Sequence, residues 1–462
     1  MGSKWEKVRL GDHCIKIGSG ATPKGGSSVY TDTGNTYFIR SQNIYNDGFN
    51  TNGLVFINDE AAFKLKNVEV QENDVLINIT GDSVARVCIA PGSFLPARVN
   101  QHVAIIRPKS NEFDSRFLRY FLSSPHQQAL LLTLASAGAT RHALTKGMIE
   151  DLQVPKPPLN IQMSIANILE FFDKKIEKNN YQNQTLEQMS QTLFKSWFVD
   201  FDPVIDNALD AGNPIPEAMQ SRAELRQKVR NSADFKPLPA KIRSLFPSEF
   251  EETELGWVPK GWKEGTLPEI ACINSTSWTN KNQPDYINYV DLSNAKDGRI
   301  YSIEKLSFND APSRARRILK KDDLIFGLVR PANRSFAYVH INDLTGSTGF
   351  AVIRAQKAIY KNFIYYFVTY NKNIEELTRI ADGGAYPAIK PDDICALPLI
   401  IPSINIIEKF DELTSNFREM MNNSLIQKEY LTNLRDTLLP KLISGELSLE
   451  DLPDLTTDTE AA

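Results

Sequence analysis

The sequence predicts an α+β chain: two similar mixed α/β modules separated by two long helices that form an antiparallel coiled coil, with a pseudo-twofold internal repeat. Three observations carry this. Stretches across the first half recur in the second at a nearly constant offset. In each copy, short β-like segments lead into helix. Each copy then ends in a long apolar stripe of helical period.

The repeat is plainest in "GATRHALTKGMIEDLQVPKPPL" (138–159) against "GGAYPAIKPDDICALPLIIPSI" (383–404), where Gly138 meets Gly383, Ala143 meets Ala388 and Pro157 meets Pro402. "NDVLI" (73–77) pairs with "DDLIF" (322–326), "NQHVAIIRP" (100–108) with "STGFAVIRA" (347–355), and "FLRYFLSS" (117–124) with "FIYYFVTY" (363–370). A unit of this length is far longer than the 20–50 residues of a solenoid repeat, so it is a duplicated domain. At roughly 150 residues per domain, 462 residues suit about three domain-sized units. Within each copy, "TYFIRSQNI", "DVLINIT" and "HVAIIRP", then "YINYVDL", "DLIFGLV" and "FAVIRA", are strands bounded by Gly, Asn, Asp or Pro. The sheet is expected to be curved and mostly antiparallel. "DSRFLRYFLSSPHQQALLLTL" (114–134) reads as one helix.

Past each proline boundary the pattern changes to one long helix. Ile165, Leu169, Phe172, Ile176, Leu186, Leu193 and Trp197 alternate by threes and fours, and Phe410, Leu413, Phe417, Met420, Leu431, Leu434 and Leu438 form the second stripe. The offset of 245 holds here without a gap, as a coiled-coil seam demands. Both seams turn polar midway, at Asn179 and Asn183 and at Ser424 and Gln427. Polar seam residues cost stability but fix partner and register. At ~1.5 Å per residue such a helix spans about 57 Å. The seam and partner-docking candidates are Ile165, Phe172, Asn179, Leu186 and Leu193 with Phe410, Phe417, Ser424, Leu431 and Leu438. The resulting division is a first module (1–157), a first long helix (158–202), a linker with short helices (203–254), a second module (255–402), a second long helix (403–447) and an acidic tail expected to be disordered (448–462).

Composition is that of a soluble protein, 42% apolar and 23% charged, with no apolar run long enough for a membrane span. The start "MGSKWEKVRL" lacks the apolar core of a secretory signal, and Cys14, Cys88, Cys272 and Cys395 form no CxxC pair, so a reducing cytoplasm is expected. The net charge of −4 misleads, because acid is segregated into "LFPSEFEETEL" (245–255) and the stretch beyond Gly445. The remainder is basic, which permits a nucleic-acid partner. "IGSGATPKGGSSVY" (17–30) offers small residues and Lys24 for a phosphate. "RSQN" (40–43), "PARVNQH" (96–102) and "GATRHAL" (138–144) supply groups suited to base edges: Arg for guanine, Gln or Asn for adenine. "PSRARR" (312–317) and "VRPANRSFAY" (329–338) are the densest basic clusters of the second copy. The candidate base readers are Arg40, Gln42, Asn43, Gln101 and Arg141 in the first module, and Asn294, Arg330, Asn333, Arg334 and Tyr386 in the second. Lys24, Arg314, Arg316 and Arg317 are phosphate candidates. Catalytic signatures are wanting: the sequence has no phosphate-binding GxxxxGK(S/T), GxSxG or HExxH, and "DFDPV" lacks the second proline and aromatic of an amino-methyltransferase motif. The five histidines are dispersed, so no metal site is expected.

The chain resembles the specificity subunits of Type I restriction–modification systems. The resemblance rests on the opening Trp5, Leu10, Gly11 and Asp12, the segment Ser19 to Tyr30, "L…VPKPPLNIQMSIANILEFFDKKIE" (152–177), "LGWVPKGWKEGTL" (255–267) and "YLTNLRDTLLPKLISGEL" (430–447). The second opening departs in "LPE" (267–269) and in a loop without Thr-Pro. The resemblance implies a non-enzymatic subunit binding double-stranded DNA, whose modules act as target recognition domains for the two halves of a bipartite sequence. The helices would set the spacer and dock two methyltransferase subunits carrying S-adenosylmethionine. Two restriction/translocase subunits would bring ATP and Mg, and this chain would carry no cofactor. Two other classes are a self-contained DNA-modifying enzyme, which would methylate alone, and a scaffold or adaptor without DNA contact or base readout, whose basic clusters would be inert to sequence.

Overall fold

A computed structural model describes residues 4–136, 143–279, 281–382, 384 and 386–449. It divides into two compact units, 1–180 with 425–462, and 181–424. The acidic tail beyond 449 lies outside the described residues.

In the first unit a four-stranded antiparallel sheet runs in the order Val87–Ile89, Val75–Asn78, Val103–Pro108, Cys14–Ser19. Beside it in sequence is a five-stranded sheet in which Thr36–Ile39 lies parallel to Ala97–Val99. The second unit repeats the plan. Its first sheet has the order Phe336–Tyr338, Leu324–Gly327, Phe350–Ala355, Ala271–Ile273. Its second pairs Tyr286–Val290 parallel to Leu344–Ser347. In both, a two-stranded ribbon joins a strand near the start of the module to its last, Lys7–Arg9 with Gln153–Pro155 and Lys263–Gly265 with Leu399–Ile401. The expected mostly antiparallel sheet is thus right except for one parallel pair per module.

The matching sequence fragments now have causes. Asn73 and Asp322 turn the chain with φ of 66° and 74°. The next residues, Asp74 and Asp323, are 1% exposed. Each takes a bidentate pair from an arginine on the neighbouring strand, Arg107 at 2.7 Å and Arg354 at 2.7 Å. A buried carboxylate needs such a partner, so the Asp and the Arg recur together. The single helix expected over 114–134 is two, Ser115–Ser123 and Pro125–Ser136. Pro125 has no N–H to continue the first helix and holds Ser124 extended (ψ 146°).

The long helices are Leu159–Phe198 and Ile404–Ser444. In the first unit, Asn179 Nδ2 donates to Gln427 Oε1 at 3.1 Å, Lys428 to Asn180 at 2.9 Å and Arg435 to Asp173 at 2.7 Å, so the pairing is antiparallel. In the second unit Phe194, Trp197 and Phe198 close around Phe410, with ring centres 5.0–6.1 Å apart. Ile165, Phe172, Asn179, Leu186, Phe410 and Ser424 are buried, while Leu193, Phe417, Leu431 and Leu438 are half-buried. Met420 is a correction: it is 46% exposed, and Met421 takes the seam. The inward stripe there includes Thr414 and Arg418, whose polarity hid it.

Each helix is fixed to its module by a polar joint at matching positions. Asp173 accepts from Arg119 (2.9 Å), from the Tyr120 hydroxyl (2.7 Å) and from Arg435. At the corresponding position the second unit carries a cation, Arg418, over the rings of Tyr338, Tyr365 and Tyr366 at 3.8, 4.4 and 5.6 Å. The first long helix ends at Phe198 rather than 202, and beyond it Asp202, Asp206 and Asp210 on helix Asp202–Ala211 meet Arg222, Arg226 and Arg230 on helix Gln220–Arg230, one pair per turn.

A third cluster predicts a pH response. Glu112 accepts from Lys156 at 2.8 Å and touches His13; Lys156 first, and then His13, pull its carboxyl from about 4.5 down to about 2. A depressed carboxylate stabilises the fold above its ordinary pKa, and that contribution is lost as pH falls. Glu112→Gln is expected to flatten the acid limb of stability between pH about 4.5 and about 2, as followed by circular dichroism.

Candidate nucleic-acid interface

In the first module three polar segments meet at one sheet edge. Strand Thr36–Ile39 ends in the tight turn Ser41–Asn43, and its Ile39 carbonyl accepts from Asn100 N at 3.1 Å, bringing the 100–102 turn alongside. Asn78 Nδ2 donates to the Ser41 carbonyl at 2.9 Å, drawing in the 79–84 loop. Leu144 N donates to Ile79 O at 2.9 Å, so the strand-like residues after Arg141 join the same edge. Arg141 itself lies outside the described residues.

The candidates on this edge differ in freedom. Arg40 lies 5.5 Å over the Tyr30 ring and donates to the Gly53 carbonyl. Its Nε is buried without a hydrogen-bond partner. Gln42 reaches the carbonyls of Asn52 and Gly53 at 3.3 and 3.4 Å. Asn43 is 0% exposed, and its amide donates to Asn50 O at 2.8 Å and Asn52 O at 3.3 Å. It therefore holds the turn and cannot reach a base, which corrects that expectation. Gln101 is exposed. Sequence reasoning missed its neighbours His102 and Thr80; the only sign was the polar run "NQH". Lys24 is exposed on the Gly-rich loop. Gly20 of that loop serves packing: a Cβ there would stand 2.1 Å from the Val99 carbonyl oxygen.

The second module assembles the same edge. Leu328 N donates to Gly349 O at 2.8 Å, and Ile389 N to Leu328 O at 2.9 Å. Arg330 stacks over Tyr386 at 5.0 Å, and Tyr386 is 72% exposed. Asn333 is exposed on the Pro331–Asn333 turn. Arg334 is tied to Asp297 at 2.6 Å and Asn371 at 2.9 Å. Asn294 ends the turn Leu292–Asn294, the counterpart of Ser41–Asn43. The phosphate candidates divide. Arg314 is neutralised by Asp291 at 2.7 Å, Arg316 lies over Phe308 at 4.7 Å, and Arg317 is partly buried, its pKa lowered by desolvation.

Stacked Arg–Tyr pairs, exposed amides and loops held between strands suit base edges and phosphates. Among the described residues no group of three His, Cys, Asp or Glu side chains could hold a metal. No described helix is long and apolar enough to cross a membrane. Burial pushes the Cys14 and Cys88 thiols up to about 12.

Residues 2–188 match the Type I restriction modification DNA specificity domain. The chain is 26% identical to the Type I restriction enzyme HindI specificity subunit of Haemophilus influenzae, over 96% of this chain and 100% of that one. It is 27% identical to the MjaIX specificity subunit of Methanocaldococcus jannaschii, over 77% of this chain and 74% of that one. Its fold is similar to that of the S subunit of a Type I restriction–modification system from M. genitalium, with a TM-score of 0.53, 16% identity, and 95% and 96% of the two chains covered. Twin modules of one topology, paired long helices, the matched domain and a relative aligned along its full length converge: the chain is similar to the specificity subunits of Type I restriction–modification systems, and its residues 2–188 carry the DNA specificity domain.

Proposed function

We propose that this subunit reads a bipartite DNA target with an unspecified spacer, one half-site per module, and that its long helices set the spacer and dock two methyltransferase subunits. Two restriction/translocase subunits complete the assembly in the cytoplasm. S-adenosylmethionine, ATP and Mg belong to those partners. The observation that carries this reading is the duplicated edge: in both modules the turn after the parallel strand, the loop after the following strand pair and the segment before the module's last strand converge. Two equivalent edges suit two separate words of duplex.

Sequencing methylated adenines in cells carrying the complete system tests this: two short fixed words with a constant gap are expected, and one continuous word would refute it. Arg330→Ala is expected to relax one base of one half-site by ~1–3 kcal/mol and leave the other half-site intact. Selection from a randomised duplex pool reads both at once.

A further inference from the structure

Gln101 does not stand alone. Its Nε2 lies 3.0 Å from His102 Nε2, and His102 Nδ1 lies 2.5 Å from Thr80 Oγ1. An amide nitrogen only donates, so His102 Nε2 must accept. The ring hydrogen of neutral His102 is then on Nδ1 and donates to the Thr80 hydroxyl. With the amide nitrogen toward the ring, Gln101 Oε1 is turned away from it and one N–H is left beside that oxygen. The backbone beneath is equally constrained. Asn100, 8% exposed, accepts from His102 N at 3.2 Å; Ile79 N donates to His102 O at 2.9 Å; Gly20 N donates to Val103 O at 2.8 Å and Ala21 N to Val99 O at 3.0 Å.

We propose that Thr80 and His102 are positioning residues for base readout, holding Gln101 so that it offers an acceptor and a donor in fixed order to an adenine edge in the major groove. The inference rests on the reading of this edge as a DNA contact. Adenine presents the complementary N6 donor and N7 acceptor, whereas guanine presents two acceptors. A freely rotating amide would match either order and lose selectivity for the side from which the base is read. Neither Thr80 nor His102 needs to touch DNA.

The test uses the full chain and selection from a randomised duplex pool, scored position by position. Gln101→Ala identifies the base in question by relaxing it. Thr80→Val keeps shape but removes the hydroxyl, and is expected to relax that same position about tenfold with other positions and overall affinity unchanged, within the ~1–3 kcal/mol worth of a bidentate contact. Thr80→Ser restores the hydroxyl and should restore the preference; His102→Phe should behave like Thr80→Val. If Gln101→Ala relaxes one base while Thr80→Val leaves it untouched, the relay is refuted and the edge stands. Loss spread evenly over all positions would mean a merely structural role and refute it too. If Gln101→Ala changes no position, this edge does not read bases there and the relay falls with it.

Discussion

Arg418→Ala is expected to destabilise the second unit by about 3–5 kcal/mol, a cost in the range for breaking a buried polar network. Arg418 is 7% exposed on the second long helix. Its Nε donates to Asn362 Oδ1 at 2.8 Å, and Asn362, 0% exposed, donates on to Asp411 at 2.7 Å and Ser415 at 2.9 Å. Truncation leaves the Asn362 oxygen buried and unpaired, about 1–3 kcal/mol. It also removes a cation from above three rings, up to ~2 kcal/mol where desolvated, and opens a void. Arg418→Met refills much of the volume, so its loss relative to the unsubstituted chain isolates the polar share, and the further loss in Arg418→Ala reports the void. Hydrogen exchange in helix Lys361–Val368 and in residues 404–424 reports locally. A change under about 1 kcal/mol would refute the account. A second reading comes from His340, whose pKa is held down to about 4 by burial first and by Arg418 next. It should rise in Arg418→Met.

Gly20→Ala is expected to cost about 3 kcal/mol or more, and to abolish first-half-site preference while sparing the second. A Cβ at this position would lie 2.1 Å from Val99 O and 2.3 Å from Asn100 O. Both neighbours are main chain, so no rotamer relieves the overlap. Either the end of strand Cys14–Ser19 or the 100–102 turn must move, and the paired bonds Gly20 N to Val103 O and Ala21 N to Val99 O are strained or lost. Gly18→Ala is the control, since a Cβ there meets nothing within 4 Å. Equal thermal shifts in the two variants would sink the argument.

The repeat and the long helices were legible because both are periodic, and a periodic pattern survives in one dimension. The gapless offset of 245 carried the seam through residues as different as Leu169 and Thr414. Parallel pairing of Thr36–Ile39 with Ala97–Val99 was not legible, since it joins segments far apart with no local signal. Arg418 is not legible as a seam residue, because an apolar period carries no sign of a cation among tyrosines. Polar clusters between strands pointed to the edge, but not to which side chains face outward. Asn43 looked as available as Gln42; its burial depends on Asn50 and Asn52, which curl back beneath it.

The opposed charges at the two polar joints bear on ancestry. A chain made by tandem duplication begins with halves that can each pair with a copy of themselves. Here the first half paired with itself would set Ser190 where Arg435 now stands, leaving the Asp173 carboxylate short of a cation. The second half paired with itself would bring Arg435 into the setting of Arg418, cation upon cation. At these two positions each half therefore suits its sibling better than a copy of itself.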